Sequence, residues 1–491
     1  MIELIERARN FRERSAIISN GKGYSYAKLL EISESIAISL LSGKQDLREA
    51  RIAFLVPAGF EYACIQWGIW RAGGIAVPLC EKHPLPSIQY VIEDSGVSAI
   101  VYSAAFEALL SPLKRSSPAR FIRSESFTPP EGVLPGVSPQ RKAMILYTSG
   151  TTGAPKGVVT THDNIRTQIT SLTAAWEWQE NDLVLNLLPL HHVHGIVNML
   201  GCALWSGACC EFLPKFDPGA VFDIFCKGQV NVFMAVPTIY YKLIAFWKGL
   251  PPKEQQHIAE CLKKFRLMVS GSAALPVSVL EEWKEISGHT LLERYGMTEM
   301  GMAISNPYKG ERRPGYIGQA LPGVSIRIAD EGGEGTAGEI QVKGANVFKE
   351  YWNKPEETRE AFTADGWFKT GDIAVFEDGS YKILGRNSVD IIKSGGYKIS
   401  ALEIEEVLRL HPAIAECAVV GLADPEWGER VAAVVELRAG AALSLAELQP
   451  WAKERLAPYK VPRALHAVET LPRNAMGKVV KPDVAALFRS G

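Results

Sequence analysis

No run of about 18 or more apolar residues occurs in this sequence, so no segment is long enough to cross a bilayer as a helix. No C-x-x-C pair occurs among its eight cysteines, which are scattered except for adjacent Cys209 and Cys210. That spacing argues against a disulfide framework or a zinc site and suits a reducing compartment. Net charge is nearly absent too, at −1 over 491 residues, which gives no support to nucleic acid or an anionic membrane as the main partner. The N-terminal stretch lacks the apolar segment of a signal peptide, and Glu3, Glu6 and Glu13 among its arginines are wrong for a transit peptide. A cytoplasmic protein is expected. Neither internal repeats nor low-complexity segments are visible.

What is present is a long, ordinarily apolar chain. Hydrophobic content of 47% and charged content of 22% describe a soluble globular protein, and 491 residues exceed one core, so at least two domains are expected. From about residue 140 to 295, short apolar runs alternate with helical patterns. Ala143–Tyr147, Leu183–Leu188, Ala208–Leu213, Val230–Val236 and Leu267–Ser270 read as strands. Thr161 is placed to cap a helix carrying Ile165, Ile169, Leu172 and Trp176 on one face, and Thr238–Trp247 reads as another helix. Stacked βαβ units with a mainly parallel sheet follow. Residues 28–125 repeat the theme, with strands at Ile52–Val56 and Ala99–Val101 and a helix at Phe60–Arg71. From Ile317 to Ile383 the texture turns to short strands punctuated by glycine, and after Arg386 a segment of mixed helices and strands forms a plausible α+β domain.

The chemistry-bearing motifs stand in loops between these elements. Tyr147–Gly157 reads YTSGTTGAPKG, with Thr148, Ser149, Gly150, Thr151, Thr152 and Gly153 leading to Lys156. Glycines let backbone N–H groups approach an anion, hydroxyls add donors and the lysine adds a mobile positive charge. No Gly-Lys-Ser/Thr ending follows, so this is not a Walker A loop. Further along come LPLHHVHG (188–195), SGSAAL (270–275), ERYGMTE (293–299), TGD (370–372), GRNSVDIIKSGGYKIS (385–400) and PRNAMGK (472–478).

Taken together and in this order, these motifs resemble the adenylate-forming acyl-CoA synthetase superfamily over nearly the whole chain. The resemblance implies an α/β fold: a large N-terminal domain of two stacked α/β subdomains plus a small β-rich subdomain, then a small mobile α+β C-terminal domain. The boundaries implied are residues 1–386 for the AMP-binding part, 387–389 for a hinge and 390–491 for the mobile part. Ser388 stands where many relatives carry Asp or Lys, which makes the hinge less typical. ATP, Mg²⁺ and CoA are the implied cofactors, with small molecules as partners and no nucleic acid, membrane span or obligatory protein partner.

The same resemblance distributes roles. Thr148, Ser149, Gly150, Thr151, Thr152, Gly153 and Lys156 grip phosphate. Ser272, Ala273 and Ala274 border the adenine, within the ATP site that also takes Glu293, Gly296 and Met297. Tyr295 stacks on the base, as an aromatic face suits a purine. Thr298 meets the α-phosphate, and Glu299, with Thr151, binds Mg²⁺, a hard cation that suits hard oxygen ligands. Asp372 and Arg386 hold the ribose, one carboxylate being able to accept from both vicinal hydroxyls. His192 and His194 line the acyl pocket, with His192 beside the reacting acid. Ser394, Gly395 and Gly396 pass the CoA arm, and Lys478 contacts the acyl carboxylate and α-phosphate during adenylation.

Arg294 sharpens the expectation. Between Glu293 and Tyr295 many relatives carry no positive charge, and arginine in ERYGMTE, beside LPLHHVHG and VSGSAALP, closely resembles the malonyl-CoA synthetases. An arginine facing the acyl pocket can clamp a second carboxylate bidentately, whereas one facing outward would make a structural salt bridge. The expected reaction is ATP-dependent ligation of malonate to CoA through an acyl-AMP, releasing AMP and pyrophosphate. A short- or medium-chain monocarboxylate:CoA ligase, a stand-alone adenylation module loading a carrier protein, and a non-catalytic adenylate sensor remain alternatives.

Overall fold

The computed structural model describes residues 2–127, 131–148, 154–329, 337–394, 397–473 and 478–488. Two large sheets dominate. The first has nine strands, six of them parallel in the order 292–297, 267–270, 232–235, 183–186, 209–212 and 15–19, with antiparallel strands at both edges. The second has seven strands, where 142–148, 75–78, 51–55, 99–102 and 120–123 run parallel and 156–161 and 350–351 add antiparallel. Near-continuous apolar strands such as Val232–Ala235 and Leu267–Ser270, buried at every residue, are what a sheet covered on both faces requires.

One apolar core joins the two sheets. Helix Phe60–Arg71 lies within it, buried from Tyr62 to Arg71, and its Trp70 indole N–H donates to the Ala143 carbonyl at 2.8 Å. On the neighbouring helix, His162–Ala175, Thr161 accepts from Asn164 N–H while the Asn164 side chain accepts from Thr161 N–H, so the capping residue read from sequence closes a reciprocal box. Trp176 follows as the cap residue at the C-terminal end, fully buried, its indole donating to Ser305 Oγ at 3.0 Å.

A buried carboxylate ties the first sheet at one end. Asp182 accepts from Arg266 Nε at 2.6 Å, Asn231 Nδ2 at 3.1 Å and Gln179 N–H at 2.7 Å, linking the approaches to three adjacent strands. Such a charge is tolerated because each lone pair finds a donor.

The Gly-punctuated region forms a four-stranded antiparallel sheet in the order 324–329, 338–344, 368–377, 380–386. After it comes a five-stranded sheet from 391–394, 397–400, 414–424, 428–437 and 464–468, with helix Ala401–Leu408 against it. The antiparallel pair Ile391–Ser394 and Tyr397–Ser400 is not legible in the sequence, where Lys393, Gly395, Gly396 and Lys398 mask the alternation. Residues 194–201 differ also: His194–Gly201 winds as a π-helix, with one extra residue per turn that side-chain spacing does not announce. The last sheet meets the main body through the Val277 N–H, which donates to Glu406 Oε2 at 3.2 Å, and through Ser400 Oγ, which donates to the Leu384 carbonyl.

Candidate active site

The loops that leave the C-terminal ends of parallel strands converge, as open α/β sheets require of a ligand crevice. Strand Leu183–Asn186 delivers the His191–His194 loop, strand Leu267–Ser270 delivers 271–276, and Leu292–Met297 carries Glu293 to Met297 itself. Thr148 closes strand Lys142–Thr148 and Lys156 opens the next. Ser149, Gly150, Thr151, Thr152 and Gly153 between them lie outside the described residues, as do Gly395 and Gly396.

Arg294 is the centre of one half of the site. It is 3% exposed, and its Nη2 donates to Ser272 Oγ at 3.3 Å. Its Nε and Nη1 have no hydrogen-bond partner among the described residues, and no ion pair is formed. Burial pulls its pKa down to about 9, against a small opposing pull from Glu293. The guanidinium lies flat on the 271–272 backbone, since a Cβ on Gly271 would stand 2.5 Å from Arg294 Cζ. Ser272 completes the seat in a left-handed conformation at φ +69, a strain of order 1–3 kcal/mol in a non-glycine residue that clusters at ligand sites.

His194 stands beside this arginine, and His192 lies two residues earlier on the same loop. His194 is buried, with Nδ1 3.2 Å from Ser272 Oγ and Nε2 without a partner among the described residues. Burial, with the Arg294 charge second, holds it neutral far below its usual range. His192 is lowered to about 4 by burial and then by the Lys478 charge, and its Nε2 is likewise unpartnered among the described residues. Asn198, one turn along the π-helix, is fully buried with both amide atoms unpartnered among the described residues. Sequence reading did not single it out, since a lone asparagine in an apolar run carries no motif.

The other half of the site is built by register. Strands Phe368–Glu377 and Ser380–Arg386 place Asp372 directly opposite Arg386, and Arg386 Nε donates to Asp372 Oδ1 at 2.9 Å. The Tyr295 hydroxyl donates to Asp372 Oδ2 at 2.5 Å, which fixes its ring beside that carboxylate. Gly296 allows the turn that follows, because a Cβ there would stand 2.1 Å from the Gly301 carbonyl oxygen. Ala273 and Ala274 are exposed on their loop, while Thr298 is half-buried just beyond Met297.

Glu299 is half-buried and accepts from the Tyr351 hydroxyl at 2.9 Å, while Lys156 Nζ stands 5.1 Å over the Tyr351 ring. Surrounding protein raises its pKa, opposed by its own backbone N–H and Tyr351, then by the Arg386 and Lys156 charges. A carboxylate so enclosed and so lightly satisfied is the hard oxygen donor that Mg²⁺ takes, and Glu299 would hold the ion there. Lys478 enters from the C-terminal segment. Desolvation and the Arg386 and Arg294 charges lower its pKa, the Asp372 charge opposes them, and the residue is exposed. Ser394, in contrast, is buried in the last sheet and pairs with Gly428.

These geometries coincide with an established family. The profile described as AMP-binding enzyme matches residues 4–352, and AMP-binding enzyme C-terminal domain matches 403–478. Bovine (Bos taurus) malonate–CoA ligase ACSF3, mitochondrial, is 48% identical over 520 residues, covering 97% of this chain and 89% of its own. ATP-bound MatB from Rhodopseudomonas palustris superposes with a TM-score of 0.90 at 32% identity, covering 99% of both chains. A malonyl-CoA ligase ternary product complex with methylmalonyl-CoA and AMP gives 0.70 at 33% identity, covering 96% of this chain and 100% of that one. The chain therefore belongs to the AMP-binding enzyme family. It is an AMP-forming acyl-CoA synthetase that uses ATP, Mg²⁺ and CoA. Among the described residues no helix is long and apolar enough to cross a membrane.

Glu293 yields a pH-dependent prediction. Burial pushes its carboxyl up to about 8, and its only polar contact among the described residues is the Leu275 N–H at 3.4 Å. The folded state therefore keeps a proton that the unfolded chain loses above the ordinary glutamate range, so this contribution to stability falls as pH rises toward 8. The slope is at most about 1.4 kcal/mol per pH unit. Thermal melts of wild type and Glu293→Gln between pH 5 and 9 should show wild type losing stability relative to the variant up to pH 8 and running parallel above it. Parallel curves throughout would show that Glu293 is ionised in the fold.

Proposed function

We propose that the acid activated is malonate, with the distal carboxylate bound by Arg294. The observation that carries this is the buried guanidinium with Nε and Nη1 unpartnered among the described residues, beside His194. A guanidinium taken out of water without a counter-charge costs several kcal/mol, and a second carboxylate on the substrate supplies what is missing. Succession in chemistry follows from one property of the substrate: its reacting carboxylate is already ionised at neutral pH and needs no general base.

That carboxylate attacks the α-phosphorus of ATP and pyrophosphate leaves. The demand on the protein is alignment and neutralisation of phosphate charge. Thr148, Lys156, Thr298 and Lys478 serve it in this reading, with Ser149 to Gly153 between them; bound Mg²⁺ supplies further charge neutralisation at Glu299. Tyr295, Asp372 and Arg386 hold adenosine, and Ser272 to Ala274 border its base. The CoA thiol then attacks the acyl carbon and AMP leaves.

Lys478 and the Ser394–Gly396 segment belong to opposite stages, so we further assign residues 390–491 to a body that rotates on 387–389 relative to 1–386. The better superposition on an ATP-bound ligase than on a product complex, 0.90 against 0.70, supports two domain arrangements. Free thiols at all eight cysteines fit a reducing compartment and do not separate the expected cytoplasm from the mitochondrion for which the bovine relative is named; fractionation of cells expressing the tagged chain checks the cytoplasmic expectation, and recovery with organelles would refute it.

The test of substrate is kcat/KM for malonate against butyrate. Butyrate leaves the guanidinium unpaired, so wild type should favour malonate by about 10²–10⁴-fold. Arg294→Leu should lose most malonate activity, and Arg294→Lys should recover only part, since a point charge lacks the bidentate fork. A wild-type preference for butyrate, or a ratio unchanged in Arg294→Leu, would replace malonate by a monocarboxylate. For the rotation, Lys478→Ala should abolish acyl-AMP formation yet convert synthetic acyl-AMP and CoA at near wild-type rate; equal loss in both half-reactions would reject it.

A further inference from the structure

A second set of ligating side chains stands next to the acyl pocket. One donor atom each from Cys80, His83 and His191 lies within 4.8 Å of the other two. Spacing in the sequence shows no zinc-binding signature, because the third member arrives from a distant loop. The first two form a Cys-x-x-His turn just beyond strand Ile75–Pro78, closed by the His83 N–H donating to the Cys80 carbonyl at 3.2 Å. Burial raises the pKa of the Cys80 thiol, and the backbone N–H groups of Lys82 and His83 oppose that rise.

The third donor is held independently. His191 lies 5.7 Å from the His83 ring and 4.1 Å from the ring of His192. Cys80 is buried while both histidines are half-buried, so the sulfur is protected and an ion still has a path from solvent. With Zn–S near 2.3 Å and Zn–N near 2.0–2.1 Å, tetrahedral donors sit roughly 3.3–3.8 Å apart, within reach by small side-chain rotations.

We propose that Cys80, His83 and His191 form a three-ligand site for a borderline-soft divalent cation of the zinc class, with the fourth position open to water. Occupation holds His191 against His192 and slows adenylation. One thiolate and two imidazoles favour zinc or cobalt over Mg²⁺, which prefers oxygen. The site uses none of the residues assigned to malonate, so either reading can fail alone.

A second cluster, Cys226, His257 and Cys261, is equally close and must be separated from it. The experiment titrates the full-length, reduced, metal-free enzyme with Co²⁺ and records tetrahedral d–d bands and thiolate-to-cobalt charge transfer. A Cys226→Ser/Cys261→Ser background should retain one thiolate-bound cobalt. Adding Cys80→Ser or Cys80→Ala to that background should abolish the charge-transfer band, and adding His83→Asn should weaken binding at least tenfold. Melting temperatures without metal identify any variant that fails to fold, and two substitutions at Cys80 guard against that outcome. In single-turnover acyl-AMP formation, one equivalent of Zn²⁺ should slow the Cys226→Ser/Cys261→Ser enzyme severalfold and leave the Cys80→Ser form of it unaffected. A charge-transfer band that survives folded Cys80 variants, or none in the starting background, overturns the site. Cobalt bound through Cys80 with adenylation unchanged by Zn²⁺ overturns the inhibitory role.

Discussion

The constraint on which the proposed acyl pocket depends is a guanidinium kept out of water with no ion-pair partner among the described residues. Arg294 sits on a strand buried through its first four residues, its close approach to residue 271 leaves room only for glycine there, and Ser272 beside it is left-handed. Such a side chain is held in place by packing while two of its nitrogens stay unpaired among the described residues. In the proposed reading the cost of that arrangement is recovered when an anion arrives, so the same desolvation that destabilises the free pocket would raise selectivity for a substrate carrying a second charge. His194 contributes by staying neutral under the influence of burial and the neighbouring arginine, which leaves the incoming carboxylate with a single cationic partner on that side.

The nucleotide half works by the opposite principle, with its charges paired in advance. Asp372 already accepts from Arg386 and Tyr295, both aligned by strand register and buried packing. A carboxylate with both oxygens engaged is oriented before any ribose arrives, so little side-chain ordering is left to be done on binding. The two halves share Lys478, whose pKa feels Arg294 and Asp372 alike. One cation therefore feels the charges of both halves, and it belongs to the segment that meets the main body through contacts such as Val277 to Glu406.

Much of this was legible in the residues. Long apolar strands and well-capped helices announced themselves: Leu267–Ser270 and Phe60–Arg71 have the bounds read from sequence, and Thr161 caps the helix it was expected to cap. Motif order brought Arg294, the 272–274 loop, the 293–299 segment and Lys478 into one region before any coordinates. What escaped was non-local or irregular. The 391–400 hairpin is masked by lysines and glycines, the π-helix at His194–Gly201 has no signature in residue spacing, and the gathering of Cys80, His83 and His191 depends on two loops brought together only by the packed sheets.

The central claim, that an unpaired buried arginine awaits a substrate carboxylate, is tested most directly by binding without turnover. Calorimetry would compare a non-hydrolysable malonyl sulfamoyl adenosine with its butyryl counterpart, which differs at the distal end of the acyl group. The account predicts that the malonyl compound binds wild type at least about 100-fold more tightly, two to three kcal/mol by the affinity relation, and that Arg294→Leu erases the difference while the butyryl compound keeps its affinity. Equal affinities in wild type would contradict it.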